Sequence, residues 1–204
     1  MWEAALFKSQ LGASWKNVHP DIQERFDADP VPEQPIYFDG LMTKLDCSGL
    51  GMLLAHISSY FTTGALCPHR GTNVSAEFEV YKITGSDDIY KIRRYCFSSG
   101  KTYIFRSRMH ATTEGELLEF VGGGFGMLVR VQEKEGALFF TEGGYFIGGN
   151  RWRLRLPALL SPGKVALTHA NLDRNRFRIS IRITHPLFGL LYDQEGVFSR
   201  RYAA

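Results

Sequence analysis

From about residue 72 to the C-terminus, apolar and polar residues alternate with a period of two, in short runs separated by clusters of Gly, Asp and Ser. The runs VSAEFEVYKI, IYKIRRYCF and TYIFRSRMHAT, for example, are separated by turns containing GSDD and SSGK. Since successive side chains of a strand point to opposite faces, this pattern is typical of half-buried strands joined as consecutive hairpins. We count about nine to ten such strands. So many antiparallel strands in succession must curl or close to protect their edges.

The first part of the chain follows different patterns. Residues 1–30 form a helical lead-in, in which Pro20 is suited to the first position of a helix. Residues 36–64 combine a strand with one apolar helix, in which Leu50, Leu53, Leu54, Ile57 and Phe61 recur at helical spacing. Residues 72–200 form the antiparallel sheet. We therefore predict a single α+β domain over residues 1–204, with a strongly curved antiparallel sheet or barrel packed against the N-terminal helices and the apolar helix.

Composition narrows the class of protein. The chain has 204 residues, 44% of them hydrophobic and 22% charged, with a net charge of +3. This small positive charge is far below that of a typical nucleic-acid binder, so no nucleic-acid partner is expected. Its three cysteines lack metal-site or disulfide spacing, and no run approaches the roughly 18 apolar residues of a membrane span. We expect a cytoplasmic protein with no integral membrane segment, no cofactor and no metal site.

Alternation along the strands predicts which polar side chains face inward. Phe177, Ile179, Ile181 and Ile183 share one face of a strand, and His185 has the same parity. By the same reasoning we predict that four further polar side chains face inward: Arg94, Ser107, Glu119 and Tyr192. A buried arginine and a buried carboxylate need partners, so Arg94 and Glu119 are expected to pair with each other.

These inward groups fit more than one role. They could hold a polar head group or act as acid and base, or they could brace the sheet as a structural network. For His185, which stands at a His-Pro corner, a structural hydrogen bond to the backbone is favoured. The glycines of GGGFG, residues 122–126, lack the spacing of a phosphate-binding loop and instead indicate a bend or bulge in a curved sheet. The arginine-rich strands are interpreted as solvated outer faces.

Three functions follow as hypotheses. The first is binding of a small lipophilic molecule in a barrel-like cavity, with Arg94, Ser107 and Tyr192 as ligand-binding residues and a carboxylate of the ligand meeting Arg94. The second is an enzyme, an isomerase, cyclase or hydrolase, with Glu119 or His185 as general acid or base. The third is an accessory module that docks on a reductase or membrane partner through its basic outer strands.

The ordered landmarks of the chain resemble a known family. The helical VHPDIQERF is followed by RRYCF, YIFRSRM, LLEFVGGGFGMLVRV, RLRLPALLSPG and RFRISIRITHPLFGLLYDQEGVF. This series resembles the bacterial family called domain of unknown function 4166. The pattern residues that match are Arg94, Phe105, Ser107, Glu119, Gly122, Leu156, Pro157, Pro162, Pro186, Gly189, Tyr192 and Gly196.

The resemblance implies a shared architecture and brings no activity, because the family has none assigned. In that family the domain often follows a saccharopine-dehydrogenase-like NAD(P)-binding region, which implies a reductase-type protein partner. This chain carries no such region, so the resemblance does not imply that it is itself a reductase.

Overall fold

The computed structural model describes residues 3–27, 30–62 and 66–202. The helices within these ranges are α1 (Glu3–Leu11), a 3-10 helix (Gly12–Asn17), α2 (Pro20–Asp27), α3 (Gly49–Ser59) and a second 3-10 helix (Ala158–Leu160). The strands are β1 (Ile36–Cys47), β2 (Val74–Tyr81), β3 (Ile89–Cys96), β4 (Thr102–Ala111), β5 (Leu117–Gly122), β6 (Phe125–Lys134), β7 (Ala137–Gly148), β8 (Arg153–Arg155), β9 (Lys164–Asn171), β10 (Arg176–His185) and β11 (Gly189–Arg200). Positions 63 and 64, which we assigned to the segment of the apolar helix, lie outside the described residues.

The strands close into a barrel. They follow the order β6-β5-β4-β3-β2-β1-β11-β10-β9-β7, and β6 also pairs with β7, so the first and last of these ten strands meet. Every pairing is antiparallel, and the short β8 lies outside the barrel on the edge of β7. Closure satisfies the backbone edges that an open sheet would expose. The prediction of a strongly curved sheet or barrel of about nine to ten strands is confirmed.

One end of the barrel is covered by α1, the first 3-10 helix and α2, and we call it the plugged end. Phe7 and Ile22 are fully buried there against side chains from the ends of the strands, including Leu117 and Leu138. The Arg25 guanidinium on α2 donates hydrogen bonds to His169 Nε2 (2.9 Å) and to Asn171 Oδ1 (3.3 Å) on β9. The helices therefore hold this end by apolar packing and by hydrogen bonds to the barrel wall.

The other end carries α3, and we call it the α3 end. The helix is capped at its N-terminus by Ser48, whose side chain accepts a hydrogen bond from Gly51 N (3.0 Å). Its buried residues are the small Gly51 and Ala55, and a Cβ atom at Gly51 would lie only 2.5 Å from the Leu191 carbonyl oxygen. Small residues let the helix approach the barrel closely.

The large apolar side chains of α3 do not pack as their spacing suggested. Leu53 is 55% exposed, Ile57 49% and Phe61, just beyond the helix, 72%. The large apolar residues of the helix lie on several of its sides, so its sequence did not identify which face would be buried. The close contact at Gly51 decides that face: Leu50 and Met52 pack partly against the core beside it, whereas Leu53 and Ile57 stay about half exposed.

The glycine run 122–126 forms the turn between β5 and β6, as the predicted bend requires. Gly122, Gly123 and Gly124 all have positive φ, and the register of the two strands shifts next to them. A Cβ atom at Gly123 would lie 1.9 Å from the Phe61 carbonyl oxygen. This turn thus supports the chain that leaves α3.

Strand β7 changes partner along its length. Leu138–Thr141 pair with β9, whereas Phe146–Gly148 pair with β8. Between β9 and the second half of β7 the wall is joined by side chains: Glu142 accepts a hydrogen bond from Val165 N (2.6 Å), and Tyr145 donates one to the Gly163 carbonyl oxygen (2.9 Å). We call this part of the wall the β7–β9 seam.

All three cysteines are free thiols, and burial raises the pKa of Cys67 to about 11. Among the residues that the structure describes, no helix combines the length and the apolar character that crossing a membrane requires.

Candidate functional site

The barrel contains an interior pocket of about 790 Å3. Its lining comes from α2, α3 and all ten barrel strands, and it is mostly aliphatic and aromatic. Examples from five of the strands are Phe38, Phe78, Phe105, Val129, Phe177 and Ile181. On β10 the lining residues Phe177, Ile179, Ile181 and Ile183 are those that alternation assigned to the inner face, which confirms that assignment.

Two arginines contribute to this lining: Arg25 of α2, which donates hydrogen bonds to β9, and Arg93. Arg93 on β3 lines the pocket and is half-buried. Its guanidinium carbon lies 4.9 Å from the centroid of the Phe78 ring and 5.1 Å from that of Phe105, within the range of cation–π contacts. Among the described residues, no carboxylate forms an ion pair with Arg93. Burial raises the pKa of neighbouring Tyr95 to about 12, while the positive charge of Arg93 acts in the opposite direction.

The prediction that Arg94 faces inward was wrong. Arg94 lies on the outer face of β3, where its guanidinium pairs with Glu77 (2.7 Å) and Glu79 (2.8 Å) of β2. The expected pair with Glu119 is therefore not formed. β3 carries apolar and basic residues on both faces, so alternation alone did not determine its orientation. The register with β2 does, because Glu77 stands opposite Arg94.

Glu119 does line the pocket, as its parity predicted. It is half-buried, between Met109 of β4 and Met127 of β6 in the register of the sheet. Within the described residues it has no ion-pair partner. Burial raises the pKa of Tyr145 on β7, and the carboxylates of Glu142 and Glu119 act in the same direction, so the Glu119 carboxylate lies within electrostatic range of Tyr145.

Two buried polar atoms have no hydrogen-bond partner among the described residues: Ser107 Oγ and Gln194 Nε2. Ser107 is buried on the inner face of β4, as predicted, although it is not among the residues that line the pocket. Gln194 on β11 is 2% exposed and does line the pocket. An unsatisfied buried donor costs about 1–3 kcal/mol, so such an atom calls for an explanation.

Tyr192 and His185 serve the architecture of the α3 end. Tyr192 lines the pocket, and its hydroxyl donates a hydrogen bond of 2.6 Å to the Gly51 carbonyl oxygen, which ties α3 to β11. His185 is buried but does not line the pocket. Its Nδ1 accepts a hydrogen bond from Leu187 N (3.1 Å), and its ring stacks on Phe188 at 4.5 Å. This is the backbone hydrogen bond that the His-Pro corner favoured.

Near the plugged end the pocket meets a second group of polar residues. Burial lowers the pKa of His169 well below its ordinary value, and the charges of Arg25 and Lys91 act in the same direction. His169 is therefore neutral and accepts the Arg25 hydrogen bond. Lys91 also lines the pocket and donates to Met109 Sδ (3.2 Å).

Sequence reasoning missed Arg93 and Gln194. For Arg93 the available signal was the alternation of β2, in which Glu77 and Glu79 share the face opposite Phe78 and Val80. If β2 is orientated first, Arg94 follows as the partner of Glu77 and Arg93 as the inward residue. The long β2–β3 connection left that register open. Gln194 lies between Asp193 and Glu195 in a mixed strand, and no sequence signal singled it out.

The arginines on the outer face of the barrel and the candidate metal ligands complete the polar groups of interest. On the outer face of β10, Arg182 pairs with Asp193 (3.2 Å) and Arg178 lies 3.9 Å from Glu195, which fits a solvated face. In the ranges described, no group of three or more His, Cys, Asp or Glu side chains is placed to hold a metal ion.

Five large apolar residues both line the interior pocket and are exposed to solvent, so they mark its mouth. These residues, which we call the rim, are Leu54 (37% exposed), Ile57 (49%), Phe61 (72%), Ile147 (44%) and Leu160 (72%). They come from α3 and the segment after it, from the end of β7 and from the second 3-10 helix. The mouth therefore opens at the α3 end, opposite the plugged end.

A second pocket, of about 610 Å3, lies beside the rim. The segment 156–163 borders both spaces: Leu160 and Pro162 line the first, and Pro157 and Ala158 the second. Its charged lining residues are Arg130, Glu142, Arg155 and Lys164. The Glu142 carboxylate bonds to Val165 N, whereas the three cations are exposed and form no ion pair with any described residue.

The fold thus places this protein among the closed antiparallel β-barrels, here with an apolar interior pocket. More specifically, the chain belongs to the family described as Domain of unknown function (DUF4166), which matches residues 18–198. No curated relative matches the chain. A solved structure that resembles it weakly is the dehydratase domain of PpsC from Mycobacterium tuberculosis in complex with C12:1-CoA. The TM-score is 0.19 and the identity 10%, over 94% of this chain and 84% of that one, and a likeness this weak carries no functional argument.

Proposed function

We propose that the protein binds a small lipophilic molecule bearing a carboxylate, with the apolar body in the interior pocket and the carboxylate on Arg93. The observation that carries the proposal is the position of Arg93, which stands between two phenylalanine rings in an apolar pocket without an anionic partner among the described residues. This replaces the role that we first assigned to Arg94.

The energetics of burial support an anionic ligand. A charge removed from water is costly unless it is paired, and cation–π contacts offset only about 0.5–2 kcal/mol of that cost. A carboxylate could accept two parallel hydrogen bonds from the planar guanidinium, the strongest arrangement available to it. The carboxylate of the ligand would therefore pair with the Arg93 guanidinium, which otherwise contacts the faces of two phenylalanine rings.

The size and lining of the pocket support the lipophilic part. Ligand sites of about 300–1,000 Å3, mostly apolar with a few placed polar groups, are typical of small-molecule binding, and the interior pocket of about 790 Å3 falls in this range. The unsatisfied Gln194 Nε2 is a donor on its wall. We expect a second acceptor of the ligand, such as a carbonyl or hydroxyl oxygen, at this atom.

The test compares decanoate with decanol, which share an alkyl chain and differ in charge. Binding is measured by displacement of a fluorescent apolar probe from the wild type and from Arg93→Gln. We expect Arg93→Gln to weaken decanoate binding by roughly 10- to 100-fold, since hydrogen bonds to charged groups contribute about 1.5–3 kcal/mol. Decanol binding should stay within about twofold, because the alcohol makes no ion pair.

The matched control is Arg106→Gln, which removes the same charge from the neighbouring strand β4. Arg106 is exposed and does not line the pocket, so decanoate binding should not change. Equal losses in the two variants would mean that only net charge matters. Failure of the wild type to bind either compound would contradict the proposal.

An acid–base enzyme is the second candidate, and it rests on Glu119, whose carboxylate faces the pocket without an ion-pair partner among the described residues. A carboxylate on an apolar wall is suited to proton transfer. Glu119→Gln would abolish turnover while leaving ligand binding intact if this hypothesis holds. His185 lies away from the lining, so we do not propose it as acid or base. The cytoplasmic location and a reductase-type partner stay predictions.

A further inference from the structure

The rim is unusual in its exposure and in its lack of negative charge. Apolar neighbours extend it on both sides: Leu53 is 55% exposed, Tyr60 86% and Leu159 59%. The segment 48–66, which contains α3, has no charged residue, and the segment 143–172, which contains β8 and the second 3-10 helix, has basic residues but no acidic one. An exposed apolar patch of this kind marks an interaction site.

We propose that the rim docks on the surface of an anionic lipid bilayer, with a headgroup phosphate held in the second pocket by Arg130, Arg155 and Lys164. The inference goes beyond the proposed function, because it concerns the outer surface around the mouth and not the ligand inside. Its partner is a lipid surface, recognised by apolar insertion together with positive charge.

The arrangement of charge selects this partner. The wall formed by residues 156–163 separates the mouth from the second pocket, so inserted Leu160 would place that pocket at the level of the headgroups. Its three cations are exposed and lack ion pairs with described residues, and its one carboxylate, Glu142, is bonded to backbone. Arginine and lysine beside inserted apolar side chains favour anionic lipid over a neutral surface.

The geometry of the mouth agrees with a bilayer. Each rim residue both faces outward and lines the interior pocket. Contact with acyl chains would remove the rim from water and would join the apolar interior of the bilayer to that of the barrel. A lipophilic molecule could then pass between them without crossing water.

The experiment measures cosedimentation of the unliganded protein with vesicles of phosphatidylcholine alone and of phosphatidylcholine and phosphatidylglycerol in equal parts. We expect binding to the anionic vesicles, weakened by salt, and much weaker binding to the neutral ones. Phe61→Ser with Leu160→Ser should lose at least roughly tenfold in affinity, from the apolar area withdrawn from the bilayer. Arg155→Gln with Lys164→Gln should lose roughly fivefold per cation, on the anionic vesicles only.

Each double variant has a control at a distance from the mouth. Ile83→Ser with Leu172→Ser removes exposed apolar side chains near the plugged end, and Arg176→Gln with Arg178→Gln removes two cations from the outer face of β10. Neither should change vesicle binding. Circular dichroism and thermal unfolding establish that all variants are folded.

Three outcomes would overturn the proposal. The first is that the protein binds neither kind of vesicle, and the second is that the rim and control variants lose equal affinity. The third is that the protein does not bind vesicles but forms a dimer that Phe61→Ser with Leu160→Ser abolishes, which would assign the rim to a protein interface. No fatty acid is present in this experiment, so failure of the Arg93 proposal and failure of the docking proposal are distinguishable.

Discussion

The two ends of the barrel differ in what their helices bury. At the plugged end, Phe7 and Ile22 are fully buried. At the α3 end, the helix contacts the barrel through Gly51 and Ala55, while Leu53 and Phe61 stay more than half exposed. Residues of similar hydrophobicity thus have opposite environments. The helices of the plugged end thus stabilise the barrel by burying large apolar side chains. The α3 end leaves such side chains exposed, which fits an end through which a ligand enters the interior pocket.

The largest expected effect is a difference in the free energy of unfolding between alanine variants of one phenylalanine from each end. Phe7 packs edge to face on Phe26 (5.1 Å) and Phe140 (5.5 Å). Replacing a fully buried phenylalanine by alanine typically costs about 3–5 kcal/mol, so Phe7→Ala should lower the free energy of unfolding by this amount. Phe61→Ala, at a side chain that is 72% exposed, should change it by no more than about 0.5 kcal/mol.

Urea denaturation of the two variants measures the contrast directly. The m-value should stay constant, because the same surface unfolds in each case. Comparable losses of stability would mean that the α3 end is as tightly packed as the plugged end, and the distinction between the ends would be lost.

A smaller effect tests how α3 is seated. Gly49 and Gly51 lie two residues apart in its first turn, and a Cβ atom would meet nothing within 4 Å at Gly49 but the Leu191 carbonyl oxygen at 2.5 Å at Gly51. Gly51→Ala should therefore lower the free energy of unfolding by about 1–3 kcal/mol. Gly49→Ala should raise it by roughly 0.5–1 kcal/mol, through helix propensity.

Thermal unfolding of this pair separates steric seating from propensity. If both substitutions stabilise the protein, α3 is not held against β11 in the way described, and the mouth could be wider than the rim indicates.

The third effect depends on pH and belongs to the plugged end. The pKa of His169 is lowered in the folded protein, so the unfolded chain binds the proton more readily. The contribution of neutral His169 to the free energy of unfolding is therefore complete above about pH 6.5, the pKa of histidine in the unfolded chain. It is lost as the pH falls below this value, by at most about 1.4 kcal/mol per pH unit. In His169→Gln, which can still accept the Arg25 hydrogen bond, this part of the pH dependence should disappear.

Denaturation of the wild type and of His169→Gln between pH 8 and pH 5, an interval set by the roughly 6.5 pKa of unfolded histidine, measures the difference. The two curves should run parallel at the alkaline end and diverge as the pH falls. Parallel curves throughout would mean that His169 is protonated at little cost, and that the plugged end is more open to water than its packing indicates.

The regular part of this fold could be predicted from the sequence. Alternation gave the consecutive strands, the inner face of β10 and the inward position of Glu119. On β10 one face is clearly more apolar than the other, and on β5 Glu119 was placed by the face that it shares with Leu117 and Val121. The glycine bend at 122–126 followed from residue type alone, since positive φ favours glycine.

The predictions for β3 and α3 were wrong for the same physical reason: in both elements the two faces do not differ clearly in hydrophobicity. β3 places Lys91, Arg93 and Tyr95 inside and Tyr90, Ile92 and Arg94 outside, so both faces mix apolar and basic residues. In α3 large apolar residues lie on several sides of the helix, and the close approach at Gly51 selects the buried face. In both cases the decision depends on a neighbouring element, and a single segment does not contain it.

The β7–β9 seam has a consequence for motion. Elsewhere in the barrel neighbouring strands are joined by backbone ladders, with local register shifts in some, but here the wall depends on the Glu142 carboxylate and the Tyr145 hydroxyl. Breaking these two side-chain contacts separates the second half of β7 from the start of β9 and leaves the backbone ladders intact, including that of Leu138–Thr141 with β9. Local opening should therefore have a low free energy at this place. In amide hydrogen exchange, Val165 should lose protection before the central amides of β10 and β11. The barrel would thus widen beside its mouth while the rest of its fold persists.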